Sequence, residues 1–559
     1  MTPPTRFMRL RVLSAARRTV SAAATLEDGA PKMSAESGPG PDQMASAGAA
    51  GQLGPRALQD RAIRGASWTM LHTITAVPMG FVVNLILARA LGVVHYGRLA
   101  FLMTLMDVVG GIIAVGVTTG TIQFGAKRHA LGRHDDVRRL LSKAQGFRLF
   151  IAAPLLTLVV LLVADVPLPM LLLALVFGVW CPALLDGATT CLAIENKTAA
   201  GAQNAMVVNI LVQAATLLSL WLVGTADAVW AARLAAGGLG VGLALVVVDP
   251  GYRRAVLHPQ IPVGMPAGFW RFAVPTAIGG LVATLVLSRT EVFFLAWLGD
   301  AAAVGTFALA YGLASHIFAP AQALVGPLMP AISGLREIQA SAVEAAFRRT
   351  IRASALIVSL LLVAGVPFFA LLMPALYGDA YSQSEPMFVA LAISAGLLVA
   401  SGPVSAFVMG RLAAGTILRV NLLALIVDVG VAFALIPSLG GWGAVIANVS
   451  GALVQLVLLV GSELRAMQMP WSEMVKQTGS LTFAVTVAVA TWALIEPIQL
   501  GRWVAAFCAI PVGCAVFLLM LRTTRAGLAQ EDAVAIQRAM PRRLHRSAGA
   551  VLRLLTVQG

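Results

Sequence analysis

The stretch NLILARALGVVHYGRLAFLM (84–103) contains the pattern that decides the fold. Its apolar run is broken by a short turn and resumes after Gly97. A similar break occurs in FFLAWLGDAAAVGTFALAYG (293–312), where Gly305 takes the place of Gly97, 305 − 97 = 208 residues later. An apolar run that stops and restarts this way predicts two membrane helices joined by a tight turn.

Two further matches show that the similarity is a repeat. Gly92 pairs with Gly299, and KTAAG (197–201) pairs with RLAAG (411–415), at offsets of 299 − 92 = 207 and 411 − 197 = 214 residues. Offsets that drift slowly along the chain are typical of a diverged duplication. Because each copy contains six apolar runs, both copies enter the membrane from the same side. The pattern therefore predicts a parallel repeat of two lobes, with a substrate site between them.

The composition places the chain in a membrane. Hydrophobic residues make up 58% of its 559 residues, charged residues only 12%, and the mean hydropathy is +0.85. Soluble domains are less apolar and about a quarter charged. Four cysteines lie in apolar runs without metal-ligand spacing, so they are interpreted as small buried hydrophobic residues: Cys181, Cys191, Cys508 and Cys514.

Fourteen runs are long and apolar enough to cross a bilayer, which needs about 20 residues. They are 65–89, 98–122, 146–164, 169–193, 203–223, 228–248, 271–298, 302–332, 352–374, 385–409, 416–437, 441–462, 478–495 and 501–521. The predicted fold is all-α and polytopic, with two six-helix lobes and two additional helices at the carboxyl end.

Five segments follow from this count. We predict a disordered cytoplasmic tail (1–60), an amino-terminal lobe (61–250), a carboxyl-terminal lobe (251–465), two additional helices (466–522) and a basic cytoplasmic tail (523–559). The first segment is rich in Gly, Pro, Ala and Ser without periodicity, which is typical of disorder.

The basic residues predict the orientation. By position, 35 of the 40 Lys and Arg precede the first span, follow an even-numbered span or lie in the carboxyl tail; the loop Ala126–Arg148 is the most basic connection. Cytoplasmic loops carry this excess, so both termini are predicted to be cytoplasmic. The same placement explains the formal net charge of +15 without a nucleic-acid partner.

The chain carries no motif of nucleotide or enzyme chemistry. It contains no GxxxxGK[ST], HExxH or GxSxG sequence, so we expect no cofactor, no metal and no enzymatic activity. A two-lobed bundle of this kind predicts a transporter that works by alternating access.

A family resemblance sharpens this prediction. RAIRGASWTMLHTITAVPMGFVVNLILARALGVVHYGRLAF (61–101) resembles the opening of the Wzx-type O-antigen/lipopolysaccharide flippases, a branch of the multidrug/oligosaccharidyl-lipid/polysaccharide exporter (MOP) superfamily. The basic approach to span 1, the Ala-Arg-x-Leu-Gly turn and Tyr-Gly carry the resemblance. LIPSLGGWGAVIANVSGALVQ (435–455) resembles the turn and following span in the second lobe of that family.

The resemblance implies the cargo, the location and the partners. Such a protein moves a polyprenyl-pyrophosphate-linked oligosaccharide from the inner to the outer leaflet of the bacterial inner membrane, for cell-surface polysaccharide synthesis. Its implied partners are this lipid-linked oligosaccharide, membrane lipids, a coupling proton or sodium ion, a polysaccharide polymerase and glycosyltransferases.

Three alternatives stay open. A cation-coupled multidrug antiporter of the same superfamily would use an acidic cavity. A membrane-embedded glycosyltransferase or polysaccharide polymerase would need a catalytic loop on the outer side, where the predicted loops are only about 4–12 residues long by the predicted span limits. A peptidoglycan-precursor flippase would be chemically close to a flippase for a polyprenyl-pyrophosphate-linked oligosaccharide.

Charged and polar residues inside the spans are the candidate site. A charge at mid-bilayer costs at least about 2.5–3.5 kcal/mol, so each needs a partner or a function. Arg289 and Glu291 lie in span 7, two residues apart, and so do not face each other on a helix. We predict that Arg289 contacts the cargo pyrophosphate or forms a salt bridge between the lobes.

The other candidates are assigned by position. Asp428 lies in span 11, seven residues from Asn421 and so on the same helix face. Asp428 and Asp107 are predicted to bind the coupling ion, and Arg289, Glu291, His72 and Asn421 to bind substrate. A structural role, as a hydrogen-bonding group between helices, is the alternative for each of them.

Overall fold

The computed structural model describes residues 55–284, 290–322, 342–411, 413–498 and 501–524, with a few isolated residues beyond these ranges. Arg289 lies outside the described residues. From Gln59 onward the described residues belong to one compact unit. Its regular elements are helices, as the sequence predicted.

The helices follow the predicted spans one by one, so they take the same numbers. The first six are α1 (55–91), α2 (93–130), α3 (His134–Val163), α4 (Leu168–Ile194), α5 (Thr198–Leu222) and α6 (Ala226–Val246). A short linker helix, Pro250–Leu257, comes next. The remaining eight are α7, in halves Phe269–Thr284 and Thr290–Leu298, α8 (Ala301–Gln322), α9 (Val343–Tyr377), α10 (Ser384–Gly410), α11 (Ala414–Leu439), α12 (Gly441–Met467), α13 (Trp471–Ile495) and α14 (Arg502–Thr524).

Length and hydropathy confirm a polytopic all-α protein. Within the described ranges, 12 helical segments are long and apolar enough to cross a membrane. The first of them, Trp68–Val108, includes the predicted break and so covers parts of both α1 and α2, while the first half of α7 is shorter than a full span.

Glycine makes the break between α1 and α2. Gly92 has φ 72° and ψ 172°, a conformation outside the helical region that side chains with a Cβ rarely adopt. The chain therefore changes direction at the turn from which the repeat was predicted.

The matched glycines Gly97 and Gly305 lie against each other. A methyl group on Gly97 would collide with Ala301 O and lie 2.7 Å from Gly305 N, and one on Gly305 would collide with Val93 O and lie 3.2 Å from Gly97 N. Val93 and Ala301 are also 208 residues apart, so each contact has its counterpart. Equivalent residues meet reciprocally in this way only around a two-fold axis. The contact thus relates α2 to α8 by a local pseudo-two-fold axis.

The second matched pair also has equivalent contacts. Lys197, before α5, forms a salt bridge with Glu195 and donates to Val247 O at the end of α6 (3.0 Å). Arg411, before α11, forms a salt bridge of 2.7 Å with Glu463 near the end of α12. In each half a basic residue therefore bridges the start of the fifth helix to the end of the sixth.

The basic segment 126–148, predicted to be a loop, is largely helical. Alpha2 continues to Ala130 and α3 begins at His134, so the connection is only three residues long. Residues of the first turns of α3, including Val137 and Leu141, are buried against the linker helix, which makes this part amphipathic. Arg148 is 3% exposed and bonds to Thr190 at 3.0 Å, so it belongs to the protein interior.

The two halves of α7 have different neighbours. Phe269 in the first half packs against Phe124 of α2, with ring centroids 5.7 Å apart. In the second half Glu291 bonds to Asn448 of α12. The helix thus connects the amino-terminal helices to the carboxyl-terminal ones. The lobe boundary at 250/251 stays a prediction.

The last two helices pack on α9. Phe507 of α14 meets Phe368 of α9 with ring centroids 5.4 Å apart, and Gln477 of α13 accepts a hydrogen bond from Arg352 of α9 (2.6 Å). No described residue of these two helices lines the central cavity, which is formed by α1, α2, α6, α7 and α8.

Candidate functional site

A cavity of about 340 Å³ lies where α1, α2, α6, α7 and α8 converge. Apolar side chains such as Leu87 and Phe307 form part of its wall. Its polar and charged lining residues are Asn84, Tyr96, Thr104, Asp107, Arg233, Tyr311, Ser315 and His316. The cavity therefore has the apolar wall and few convergent polar groups that are typical of a ligand site.

Arg233 brings a positive charge to this cavity from α6. Its side chain is half-buried, its charge is balanced by that of Asp107, and its Nε has no hydrogen-bond partner among the described residues. Asp107, predicted from the sequence, therefore lies in the central cavity. The sequence prediction did not single out Arg233, although an arginine in an apolar run was the signal that could have identified it.

Hydrogen bonds hold the polar wall in place. The Tyr96 hydroxyl donates to Asn84 Oδ1 at 2.9 Å, which joins α2 to α1. On α8, His316 Nδ1 lies 2.6 Å from Gly312 O and the Ser315 hydroxyl donates to Tyr311 O at 3.0 Å. These bonds orient the side chains that face the cavity before any ligand arrives.

Tyrosine contacts lie at the end of the cavity next to the Gly97–Gly305 contact. Tyr381, between α9 and α10, donates its hydroxyl to Ala88 O of α1 at 3.0 Å, and its ring meets Tyr96 with centroids 6.3 Å apart. Burial, followed by the neighbouring Tyr96 and Tyr377, raises the pKa of Tyr381 above its ordinary value. Tyr381 therefore stays a neutral donor, and the glycines and tyrosines pack closely at this end, which makes them the candidate seal of the cavity.

The carboxyl-terminal half contains a second polar site, which joins Glu291 and Asp428. Both residues are fully buried, and their carboxyl groups lie next to each other, with Thr290 also beside Asp428; among the described residues neither carboxyl oxygen of Asp428 has a hydrogen-bond partner. Asn448 donates to Glu291 Oε1 at 2.6 Å and accepts from the Ser394 hydroxyl at 2.9 Å. The pairing of Glu291 with Asp428 was not foreseen, because span 7 and span 11 are far apart in sequence.

Two buried carboxylates in contact cannot both be ionised without a compensating cation. A carboxylate oxygen accepts hydrogen bonds and carries no hydrogen, so a proton shared by the pair, or a cation between the oxygens, is required. Carboxylate, amide and hydroxyl oxygens are ligands suited to a hard cation such as sodium as well as to a proton. The residues present therefore fit either a proton or a sodium ion.

The other predicted residues lie elsewhere. Asn421 is 5% exposed and accepts a hydrogen bond from Gln455 of α12 at 2.9 Å, outside the central cavity. His72 lines a different cavity, of about 530 Å³, between α1, α4, α5 and α6, with Asn204 and Asn209. The predicted set is thus divided among three places, with Arg289 outside the described residues.

The fold resembles that of solved membrane transporters. The lipid II flippase MurJ in an inward closed conformation is 12% identical, with a TM-score of 0.60 over 81% of this chain and 97% of that chain. A MATE-family multidrug resistance transporter of the MOP superfamily, inward-facing, is 16% identical, with a TM-score of 0.56 over 72% and 98%. No curated protein sequence matches the chain.

The helices, the lobed arrangement and the central cavity define a multi-pass membrane protein with the fold of MOP-superfamily transporters. Residues 62–336 match the family described as "Polysaccharide biosynthesis protein". This match agrees with the resemblance to polysaccharide exporters at residues 61–101.

Proposed function

We propose that this protein flips a polyprenyl-pyrophosphate-linked oligosaccharide from the inner to the outer leaflet of a bacterial inner membrane by alternating access. The observation that carries the proposal is the arginine in the central cavity. The family match to polysaccharide biosynthesis proteins supports a glycan cargo, and the lipid II flippase is one of the proteins with this fold.

Arg233 is suited to the pyrophosphate group. A guanidinium binds phosphate oxygens through two parallel N–H bonds, and such charge-assisted bonds are about twice as strong as neutral ones. In the closed conformation Asp107 balances this charge. An entering pyrophosphate would take over the guanidinium from Asp107, which requires the anionic part of the cargo to reach the cavity.

The cavity size agrees with partial entry of the cargo. A cavity of about 340 Å³ is at the small end of the range for ligand pockets, so it suits a pyrophosphate and adjoining sugar atoms better than a whole oligosaccharide. The described conformation is therefore assigned as a closed state, and the glycan would be accommodated after the lobes separate.

We propose that the Glu291–Asp428 pair drives the cycle by binding and releasing a proton or sodium ion. Glu291 of α7 bonds to Asn448 of α12, which bonds to Ser394 of α10. Asp428 lies on α11, so a change in the charge of the pair acts on several helices at once. The second half of α7 also contributes Val292 to the cavity wall. This helix thus lies between the ion site and the cargo site.

Substitution of Arg233 tests the cargo assignment. In vesicles containing the purified protein and a fluorescent polyprenyl-pyrophosphate oligosaccharide, Arg233→Gln should slow flipping, because a charged hydrogen bond is worth about 1.5–3 kcal/mol, or roughly 10- to 150-fold in affinity. Arg233→Lys should retain part of the activity, since the charge remains without the two-pronged geometry.

Arg419→Gln is the matched control, because Arg419 is exposed and, within the described part of the chain, bonds to the carbonyl of Gly415 in its own helix. It should flip the lipid at the normal rate. Arg289→Gln in the same assay tests the arginine predicted from the sequence. Normal flipping by Arg233→Gln at normal abundance would contradict the proposal, and faster export of a lipophilic cation would favour the multidrug alternative.

Labelling with an impermeant thiol reagent tests the proposed orientation, with both termini in the cytoplasm. Arg133 and Ser382 are both exposed, at opposite predicted sides. In a variant lacking the four native cysteines, a cysteine in place of Ser382 should react in intact cells, and one in place of Arg133 only after lysis. The reverse result would invert the topology.

A further inference from the structure

Two histidines, one in the last turn of α2 and the other at the start of α3, share one tyrosine hydroxyl. The Tyr252 hydroxyl lies 2.7 Å from His129 Nδ1 and 2.8 Å from His134 Nδ1, and the two imidazole centroids are 5.2 Å apart. A polar cavity of about 350 Å³ adjoins this triad, and Arg138, Glu195, Lys197 and Asp249 complete its lining. The cluster is separate from the central cavity and from the carboxyl pair.

The triad fastens the connection between the two halves of the protein. Tyr252 belongs to the linker helix, and we call residues 249–264 the linker strap. The Ser142 hydroxyl of α3 donates to Ala255 O at 2.8 Å, and Gln260 N donates to Ser142 O at 2.9 Å. Tyr252 and Val256 are buried against α3. The strap therefore lies along α3 up to the start of α7.

Hydrogen counting makes the triad sensitive to protonation. A phenol carries one hydrogen, so Tyr252 can donate to one Nδ1 and accept from the other only if the two imidazoles are different tautomers. When the accepting imidazole is protonated, both Nδ1 atoms become donors. The phenolic hydrogen then loses both imidazole acceptors and faces only the adjoining polar cavity, in a residue that is 2% exposed. A buried donor without a partner is costly.

The surrounding charges act in both directions. Lys197 and Arg138 oppose a new positive charge, whereas Glu195 and Asp249 favour it. Glu195 is already engaged, since it forms a salt bridge with Lys197 and accepts from Asp249 N at 3.1 Å. Asp249 Oδ1 likewise accepts from Gly251 N at 2.8 Å. Neither carboxylate is thus fully available to a histidine cation.

We propose that the His129–Tyr252–His134 triad is a pH-dependent latch that holds the linker strap on α3 at neutral pH and releases it on acidification. The latch would regulate how freely the second half of the protein moves against the first. It is independent of the cargo, since no residue of the triad lines the central cavity.

The direction of the pH dependence follows from the pKa of His129. Burial, followed by the neighbouring His134, lowers the pKa of His129, and Glu195 and Asp249 offset only part of the shift. Burial also raises the pKa of Tyr252 to about 12, so the phenol keeps its hydrogen. The latched state therefore binds fewer protons than the released one. Its stability is complete above the unperturbed histidine pKa of about 6.5 and is lost as the pH falls below it.

Distances between spin labels test the latch. Arg139 of α3 and Leu257 of the linker helix are exposed, so cysteines replacing them can carry labels in a variant without native cysteines. When the pH is lowered from about 8 to about 5.5, the distribution of distances between the labels should broaden and its mean should increase. One proton changes the released-to-latched ratio by up to about tenfold per pH unit. An unchanged distribution would overturn the proposal.

Three variants separate the latch from general acid effects. His129→Asn/His134→Asn keeps hydrogen-bonding groups near the Nδ1 positions without titration near neutrality, so its strap should stay closed at both pH values. Tyr252→Phe removes the shared hydroxyl and should release the strap at both. His258→Asn, on the exposed end of the strap, should respond as the unsubstituted protein does. A full acid response in the double variant, or a closed strap in Tyr252→Phe, would refute the latch. Neither result depends on flipping, so failure of the latch leaves the proposed function untouched.

Discussion

Asp428→Asn is expected to abolish ion-driven transport while the protein remains folded and inserted. The amide has nearly the shape of the carboxyl group and can donate a hydrogen bond to Glu291, which supplies the hydrogen that two carboxylates lack. Because the amide hydrogen takes the place of the proton that the two fully buried carboxyl groups would otherwise have to share, the thermal stability of the variant should be unchanged or higher. It can no longer bind and release the coupling ion, so transport driven by a proton or sodium gradient should fall to the level of protein-free vesicles.

Glu463→Gln is the matched control. Glu463 is equally buried, in the adjacent α12, but its partner is a cation, Arg411, at 2.7 Å. The arginine left without its carboxylate is partly exposed, so the cost should be smaller than that of about 3–5 kcal/mol for a fully buried pair, but this variant should still be less abundant and melt earlier. The molecules that remain should stay coupled to the gradient. The proposed ion site would be rejected if Asp428→Asn retained gradient-driven flipping, or if it lost flipping only in proportion to lost protein.

Carboxylates in apolar runs are easily found in a sequence, but their partners are not. Asp428 and Glu463 look alike in the sequence, one in span 11 and the other at the end of span 12. Which of them faces another acid and which faces an arginine depends on how α7 and α10 pack against them. The sequence therefore led to one residue of the proposed ion site, Asp428, and not to the pair.

The fold was easier to predict than the site, because it depends on properties that can be seen in short stretches of the sequence. Apolar length gives the helices, and glycine marks a turn such as the one at Gly92. The segment 126–148 shows the limit of this reasoning. Charge density predicted a loop there, although Val137 and Leu141 recur at helical spacing and form the buried face of the first part of α3. Arg233 was overlooked for a related reason, since nothing local distinguishes an arginine that faces a cavity from one that reaches the membrane surface.

Gly97→Ala is expected to open the sealed end of the central cavity. The added methyl group would collide with backbone atoms of α8, Ala301 O and Gly305 N, which cannot turn aside as a side chain can. Overpacking of this kind costs about 1–3 kcal/mol in the closed state alone. The population should shift toward the state that is open at this end by roughly 5- to 150-fold. Flipping should decrease, because a cycle needs both ends to close in turn.

A cysteine at Ser315, in the cavity wall, reports this opening. In a variant without native cysteines, an impermeant reagent supplied from the side of the Gly97–Gly305 contact should label it faster when Gly97→Ala is present. Gly305→Ala should act in the same direction, since its methyl group meets Val93 O across the same pseudo-two-fold axis. Gly80→Ala is the control: it lies in α1 with nothing within 4 Å of the added carbon, and alanine is the better helix former. Equal labelling in Gly97→Ala and Gly80→Ala would show that the glycine contact does not seal the cavity. Faster labelling in Gly97→Ala and Gly305→Ala, but not in Gly80→Ala, would place the seal of the cavity at the contact between the two repeated turns.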